Sequence, residues 1–221
     1  MGIFFIVSTP IGNMKDISMR AIDILKNVDL ILCEDTRQTQ KLLDRYEIKK
    51  PSLSYHQHSK LKKVEDIINM LSSGKSLALV SDAGTPGISD PGNFLISKIV
   101  ESSKDIQIIP VPGPSAFVSA ASISGFPMDK FSFLGFPPVK KKRNKFFKEV
   151  EELKYPVIFY ESPYRIIKTL AELPKDREIV VCRELTKKFE TVYRGSADEI
   201  AESIGKSELK GEFVVVLSGG K

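Results

Sequence analysis

The sequence is poor in the residues that mark disulfide-rich and metal-binding chains. It contains two cysteines and two histidines in 221 residues. Cys33 and Cys182 each lie in an apolar, strand-like run, which indicates buried reduced thiols and not a disulfide framework. His56 and His58 lack cysteine or carboxylate partners at a known metal-binding spacing, so contact with the substrate or with a dimer surface is the favoured interpretation. We therefore expect no metal site.

Long apolar runs are also missing. No run approaches the roughly 20 residues that a membrane-spanning helix needs, and the first residues, MGIFFIVSTP, lack a basic region and a cleavage site. We therefore expect a cytoplasmic protein with no membrane partner. Lysine and arginine number 33 against 28 aspartates and glutamates. This small excess favours a polyanionic partner only weakly, because many enzymes of small metabolites are equally basic.

Two common phosphate-binding motifs are absent: G-x-x-x-x-G-K-[ST], and G-x-G-x-x-G after the first strand. A different glycine loop is present at residues 80–92, VSDAGTPGISDPG. Its glycines and prolines favour one fixed shape between a strand and a helix, a position where α/β sheets bind ligands. Asp82 and Asp90, with no lysine, favour a diol or a cation over a phosphate. S-adenosylmethionine, a sugar and a metal-bound substrate all satisfy these groups.

The first half of the chain alternates strands with helices, which predicts a parallel sheet with right-handed crossovers. The predicted strands are 3–8, 29–33, 52–55, 76–80 and 106–111, and the predicted helices are about 16–27, 36–46, 61–74 and 92–103. The segment VPGPSA is typical of a rigid joint, with Ser115 available to cap the next helix. The strands after it predict a mixed sheet. We therefore expect an α/β protein of two domains, 1–112 and 113–221, with a ligand cleft between them.

Seven motifs occur in order along the chain: STPIGN (8–13), CEDTRQT (33–39), LVSDAGTPGISDPG (79–92), VPGPSA (111–116), FYESPYR (159–165), CRELTKKFET (182–191) and GEFVVV (211–216). Together they resemble the tetrapyrrole methylase superfamily. Within it they resemble the branch that methylates the 2′-oxygen of a cytidine ribose in the decoding region of bacterial 16S ribosomal RNA. The resemblance implies a two-domain methyltransferase, usually a homodimer, that binds S-adenosylmethionine in its interdomain cleft. The implied partner is 16S rRNA in the small ribosomal subunit, not DNA.

The resemblance also implies which residues bind the methyl donor. They are Pro10, Asp82, Ala83, Gly84, Thr85, Ser115, Ala116 and Tyr160. Members that act on tetrapyrroles tend to carry GGDP in the glycine loop and a methionine after the tyrosine. This chain has SDAGTP and Glu161 instead, which favours the RNA branch.

A ribose hydroxyl is a poor nucleophile until its proton is accepted, so the proposed reaction favours a nearby carboxylate. Glu34 and Asp35 follow a buried strand, and Arg37 is close enough in sequence to pair with one of them or with a phosphate. Glu161 lies at a corresponding strand end in the second half. We predict catalytic roles for these residues, with Asp35 or Glu34 as the proton acceptor. The alternative is that residues 34–36 only cap a helix.

A basic segment, PPVKKKRNKFFK (137–148), predicts contact with RNA phosphates. The expected contacts are Lys140, Lys141, Lys142, Arg143 and Lys145. We expect the two phenylalanines of this segment in the core. Two other functions stay open: methylation of a tetrapyrrole or a protein side chain by an enzyme of the same architecture, and non-catalytic binding of S-adenosylmethionine by an RNA-associated protein.

Overall fold

The computed structural model describes residues 2–56, 61–102, 105–205 and 209–220. His58, part of the histidine pair considered above, lies outside these ranges. The chain divides into two compact units, Met1–Ser115 and Ala116–Lys221, which are described separately below. Within the described ranges, every helix is too short or too polar to cross a bilayer.

The N-terminal unit is built on a five-stranded parallel sheet, as the sequence predicts. Its strands are β1 (Ile3–Val7), β2 (Leu30–Cys33), β3 (Ser52–Ser54), β4 (Ser76–Leu79) and β5 (Gln107–Val111). Their order across the sheet is β3-β2-β4-β1-β5, and every pairing is parallel. The central strands are apolar on both faces because helices cover both.

Four helices cover the two faces of this sheet. They are α1 (Met19–Asn27), α2 (Thr36–Arg45), α3 (Leu61–Ser72) and α4 (Asn93–Ser102). Leu25 of α1 and Leu43 of α2 share a core with Val7, whereas Ile67 of α3 and Leu95 of α4 share another with Phe4. The helices that follow β1 and β4 therefore lie on opposite faces. Because β1 and β4 are neighbours, their loops diverge at a topological switch point, where α/β sheets bind ligands.

Helix α1 begins later than the sequence predicts. A short 3-10 turn occupies Met14–Asp16, and the Ser18 hydroxyl accepts a hydrogen bond from the Ala21 amide at 3.1 Å. This N-cap fixes the start of α1 at Met19, because a serine side chain satisfies an amide that the helix itself leaves unpaired.

The C-terminal unit contains a mixed five-stranded sheet, which confirms the predicted sheet type. In chain order its elements are α5 (Ala116–Ser124), β6 (Ser132–Phe133), α6 (Arg143–Glu152), β7 (Val157–Glu161), α7 (Ile166–Ala171), β8 (Ile179–Arg183), β9 (Thr191–Gly195), α8 (Ala197–Gly205) and β10 (Phe213–Leu217). The strand order is β6-β7-β10-β8-β9. Only the β6–β7 pair is parallel among the strands described.

The core of this unit lies against the sheet face that carries Phe159, Val181 and Val215. Phe147 of α6 is buried there, and Phe146 packs against the same cluster, which confirms the expected core position of both phenylalanines. Across the whole molecule, Cys33 and Cys182 are free and buried, as the sequence predicts.

Candidate active site

The loops that follow β1 and β4 are joined through their backbones. Thr9 and Gly84 exchange two hydrogen bonds: the Thr9 amide donates to Gly84 O at 2.9 Å, and the Gly84 amide donates to Thr9 O at 3.1 Å. The Ser8 and Thr85 hydroxyls also lie 2.9 Å apart. Pro10 follows directly and is buried. The two loops at the switch point are therefore held together by these bonds as one rigid frame.

A third loop, after β5, packs against these two loops, and glycine is favoured at two positions of the contact for different reasons. Gly84 has a φ of 79°, which side chains with a Cβ rarely adopt. Space is available there, because an added Cβ would lie 3.5 Å from Ile11 and 3.8 Å from Pro114 O, both ordinary contacts. The backbone conformation, and not lack of space, therefore favours glycine there. At Gly113 the reason is space, because an added Cβ would lie 2.9 Å from the Ser8 side chain.

The residues assigned to the methyl donor fall in both units. Pro10, Asp82, Ala83, Gly84, Thr85 and Ser115 belong to the N-terminal unit. Among them, Asp82 and Ala83 are exposed beside the frame, and Thr85 is half-buried within it. Ala116 and Tyr160 belong to the C-terminal unit, where the Tyr160 ring packs against the rings of Phe133 and Phe136 at centroid distances of 5.1 and 5.3 Å.

Three carboxylates meet at the carboxyl edge of the N-terminal sheet. Burial raises the pKa of Asp90 to about 6, against the effect of a hydrogen bond with Ser81, and the charges of Glu34 and Asp82 add to the rise. Burial also raises the pKa of Glu34, as does the charge of Asp82. Glu34 and Asp90 line a pocket of about 560 Å³, together with His56, Gly87, Ser89, Pro91 and Asn93.

The chemistry of this edge fits S-adenosylmethionine. Carboxylates that repel one another are stabilised by a cation, and the sulfonium of the donor is one. Their oxygens also accept hydrogen bonds from a ribose diol. Asp82 is the residue best placed for such contacts, because it is exposed and its Oδ1 accepts the Asp35 amide at 3.2 Å. That bond holds the Asp82 carboxylate beside the end of β2.

The carboxylate of Asp35 caps the start of α2. Its Oδ1 accepts the Arg37 amide at 2.8 Å, and its Oδ2 pairs with the Arg37 guanidinium at 2.9 Å. The hydrogen bond from the Arg37 side chain lowers the pKa of Asp35 to about 2. A carboxylate with so low a pKa is a weak proton acceptor. Of the two candidates, Glu34 is therefore the better acceptor, and the capping interpretation describes Asp35.

The basic segment of the C-terminal unit contains both exposed and buried basic side chains. Lys140, Lys141, Lys142 and Lys145 are exposed. Arg143 is only 4% exposed, and its guanidinium donates to Glu172 Oε2 at 2.8 Å and to Thr169 Oγ1 at 2.7 Å. Because Arg143 is the first residue of α6 and its side chain is directed into the interior, the structure does not place it with the surface lysines. Its expected contact with RNA is corrected accordingly.

Glu161 also lies in the interior and not at a surface where substrate could reach it. It is 2% exposed. One oxygen accepts the Ser162 amide at 2.7 Å and pairs with Arg165 at 2.8 Å, and the other accepts the Thr169 hydroxyl at 2.6 Å. With both oxygens occupied, Glu161 is unsuited to direct proton transfer. The sequence motifs gave no indication of Thr169 or of Glu172, whose contacts with Arg143 appear only in three dimensions.

Comparison with known proteins agrees with these features. The sequence profile of the family described as Tetrapyrrole (Corrin/Porphyrin) Methylases matches residues 4–201. A protein from Thermotoga maritima named Ribosomal RNA small subunit methyltransferase I is 44% identical over 222 residues, covering 99% of each chain. A protein of the same name from Bacillus subtilis is 48% identical over 227 residues, covering 99% of this chain and 76% of the relative.

Solved structures share the fold at much lower identity. A cobalt precorrin-4 methyltransferase superposes with a TM-score of 0.70 at 15% identity, covering 98% of this chain and 94% of the other. A diphthine synthase gives a TM-score of 0.73 at 13% identity, covering 98% and 90%. At these identities the likeness establishes the fold alone, and it confirms the predicted fold class.

The profile match and the near full-length relatives establish the class of enzyme. They confirm the methyltransferase activity and the dependence on S-adenosylmethionine that the sequence motifs predict. On the strength of its sequence, its two sheets and these relatives, the chain belongs to the tetrapyrrole (corrin/porphyrin) methylase family.

Proposed function

We propose that this protein methylates the 2′-hydroxyl of a cytidine ribose in 16S rRNA, in the decoding region of the small ribosomal subunit. The observation that carries the proposal is the pair of relatives named for small-subunit rRNA methylation, 44% and 48% identical over 99% of this chain. The cytidine and the ribose oxygen come from the resemblance of the seven sequence motifs. The carboxylates at the carboxyl edge of the N-terminal sheet can accept a proton and bind a cationic donor, and the exposed lysines can bind RNA phosphates.

The reaction needs a methyl donor, a positioned nucleophile and a proton acceptor. When bound, S-adenosylmethionine supplies an electrophilic methyl group on a positively charged sulfur. In the proposed reaction that methyl group would pass to the ribose oxygen, with the donor's thioether as the leaving group, and the hydroxyl proton would pass to a protein carboxylate. Holding nucleophile and methyl group at attack distance accounts for about 7 to 11 kcal/mol of the barrier in well-oriented reactions.

Glu34 is the proton acceptor in this proposal. It is only half-buried, so a substrate can reach it. Burial and the charge of Asp82 raise the pKa of Glu34. A carboxylate with a raised pKa is a stronger base, and a general base works best when its pKa lies near the working pH. Asp82 contributes a carboxylate for the cationic donor, and the backbone frame of Thr9 and Gly84 keeps the loop that carries Asp82 in place.

The four exposed lysines of the basic segment bind the RNA backbone in this proposal. Lys140, Lys141 and Lys142 are consecutive, and Lys145 follows on α6. Lysine ammonium groups contact phosphates without reading the base, so these residues supply affinity and not choice of nucleotide. Recognition of the cytidine is therefore assigned to other groups. We also expect a homodimer, which light scattering of the purified protein tests directly.

The deciding experiment is transfer of a tritiated methyl group to undermethylated 16S rRNA, offered free and in small subunits, followed by nuclease mapping. The expected product carries the label on one cytidine ribose. A label on a base contradicts the proposed reaction. Binding of S-adenosylmethionine and RNA without transfer identifies a non-catalytic protein, and transfer only to a tetrapyrrole or to a protein side chain identifies another substrate.

A further inference from the structure

An ion-pair cluster lies beneath the basic segment of the C-terminal unit. It consists of Glu161 at the end of β7, Arg143 at the start of α6, and Arg165 just before α7. Arg165 Nη2 lies 2.8 Å from Glu161 Oε1. Arg143 Nη2 donates to the Thr169 hydroxyl at 2.7 Å, and that hydroxyl donates to Glu161 Oε2 at 2.6 Å. Glu161 thus pairs directly with Arg165. Arg143 pairs directly with Glu172 at 2.7 Å, and it reaches Glu161 through Thr169 and across a longer 3.9 Å separation.

Each of these arginines also holds one carbonyl of the two prolines that begin the basic segment. Arg165 Nη1 donates to Pro137 O at 3.0 Å, and Arg143 Nη1 donates to Pro138 O at 3.2 Å. Prolines carry no amide hydrogen, so they rely on their carbonyls for backbone hydrogen bonds. The Pro137 carbonyl is therefore bound by a guanidinium that pairs directly with Glu161. The Pro138 carbonyl is bound by a guanidinium that Glu161 and Glu172 hold together.

The lysines follow this turn directly. Val139 to Lys142 form an exposed loop between Pro138 and the first residue of α6. Arg143 closes the loop at its far end, and its amide donates to Lys140 O at 3.3 Å. The loop is thus anchored at both ends by groups that contact the Glu161 cluster, while its lysine side chains remain in solvent.

We propose that Glu161 is a positioning residue for RNA binding, which orders the Val139–Lys142 loop through Arg143 and Arg165. This inference rests on the proposed function, because the loop matters for activity only if its lysines bind the substrate. It differs from a catalytic role, since Glu161 is buried and both of its carboxylate oxygens are bound by groups of the protein itself. Ordering the loop before binding removes part of the entropy that RNA binding would otherwise cost.

The first test needs no RNA and uses limited digestion of the full chain with trypsin. Glu161→Gln keeps the side-chain shape but loses the charge that holds Arg165. We expect cleavage after Lys140, Lys141 and Lys142 to accelerate about fivefold relative to cleavage after Lys188, an exposed site outside the cluster. General loosening of the unit would accelerate all these sites together. An unchanged ratio overturns the proposal whether or not the protein acts on RNA.

The second test is steady-state methylation of small subunits. For Glu161→Gln we expect the KM for the subunit to rise about tenfold, with kcat changed much less. Glu152→Gln serves as the matched control, because Glu152 lies on the exposed side of α6, where it pairs with the exposed Lys148 at 3.9 Å. A fall in kcat at saturating substrate with an unchanged KM overturns the positioning role in favour of a catalytic one.

A milder variant guards against loss of folding. Arg165→Lys keeps a cation beside Glu161 but replaces two nitrogens with one, whereas Arg165 binds the Pro137 carbonyl through Nη1 and Glu161 through Nη2. It should show the same change in the tryptic ratio, with a smaller rise in KM. If wild type methylates no RNA, the proposed function fails while the digestion result still decides the role of Glu161 in the loop.

Discussion

Thr9 and Gly84 are joined by two backbone hydrogen bonds, although 74 residues separate them and neither belongs to a regular strand. The pair fastens the loop after β1 to the glycine loop after β4, and the Thr9 hydroxyl adds a bond to Ser81 O at 3.0 Å. The proposed donor site is thus supported by main-chain geometry, so its integrity depends on backbone conformation as much as on side chains.

Gly84→Ala should weaken donor binding through the backbone. Its φ of 79° costs a residue with a Cβ about 1 to 2 kcal/mol. Gly125→Ala is the matched control, because Gly125 has a φ of 82° and an added Cβ meets nothing within 4 Å. Both variants should lose similar stability in urea. Only Gly84→Ala should lower the affinity for S-adenosylmethionine in calorimetry, and equal affinities in the two variants would contradict the site.

Glu34→Gln should slow methyl transfer by about a hundredfold or more, the usual contribution of a general base. In wild type the single-turnover rate should fall as pH drops through the raised pKa of Glu34, because the acceptor must be unprotonated. That dependence should be absent in Glu34→Gln.

Asp35→Asn is the companion variant, since asparagine caps helices about as well as aspartate. It should keep most of the transfer rate and the pH dependence. If Asp35→Asn and not Glu34→Gln abolishes transfer, the assignment of the acceptor is reversed.

Asp90 should make stability depend on pH in an unusual direction. Its pKa is raised from an ordinary 3.8 to about 6, so the folded state binds a proton that the unfolded state has lost. The contribution of Asp90 to the free energy of unfolding is therefore greatest below its pKa in the unfolded state. It declines as the pH rises towards about 6, the pKa in the folded state. Asp90→Asn should therefore raise the urea midpoint more at about pH 7.5 than at about pH 4.5.

The opposite sign is expected for Asp35, whose pKa is lowered to about 2. Its contribution is present at neutral pH and is lost as pH falls through the folded pKa. Asp35→Asn should accordingly lower the urea midpoint at neutral pH. A lower midpoint for Asp90→Asn would contradict the environment described for Asp90, and a higher one for Asp35→Asn would contradict that described for Asp35.

Replacing Lys140, Lys141 and Lys142 together with glutamine should weaken RNA binding and reduce its salt dependence. Three lost phosphate contacts make the slope of log K against log salt shallower by about 2 for single-stranded RNA. A triple variant at the exposed Lys26, Lys49 and Lys75 has the same loss of charge and serves as the control. Filter binding across a salt series measures both. Equal slopes in the two variants would exclude these lysines as a local binding surface.

Most of the secondary structure follows from local patterns in the sequence. The predicted strand over 3–8 is observed at Ile3–Val7, and the predicted helix over 36–46 at Thr36–Arg45. The clearest differences are at helix starts. In the second half of the chain, the sequence pattern over 163–173 predicts a helix, and the observed helix is shorter, Ile166–Ala171. Residues 163–165 make a turn instead, in which the Arg165 amide donates to Ser162 O at 3.1 Å. Such ends depend on capping bonds that periodicity does not reveal.

Candidate site residues can be predicted from the sequence where they lie in one contiguous motif, as in the glycine loop and the carboxylates after β2. Contacts between residues far apart in the sequence cannot be predicted in this way. Arg143 was grouped with its lysine neighbours because a run of basic residues looks the same whether its members face water or the core. Its partners Thr169 and Glu172 lie 26 and 29 residues away, so only the packed unit shows that this charge is buried.

The position of β10 has a consequence for biosynthesis. This strand lies between β7 and β8 and pairs with both, with Val215 opposite Phe159 on one side and Val181 on the other. Until residues 213–217 leave the ribosome, β6–β7 and β8–β9 are separate pairs whose inner edges have no neighbour, and such edges invite aggregation. Formation of β10 therefore closes two open strand edges in one step, and a change that weakens this strand would expose both edges together.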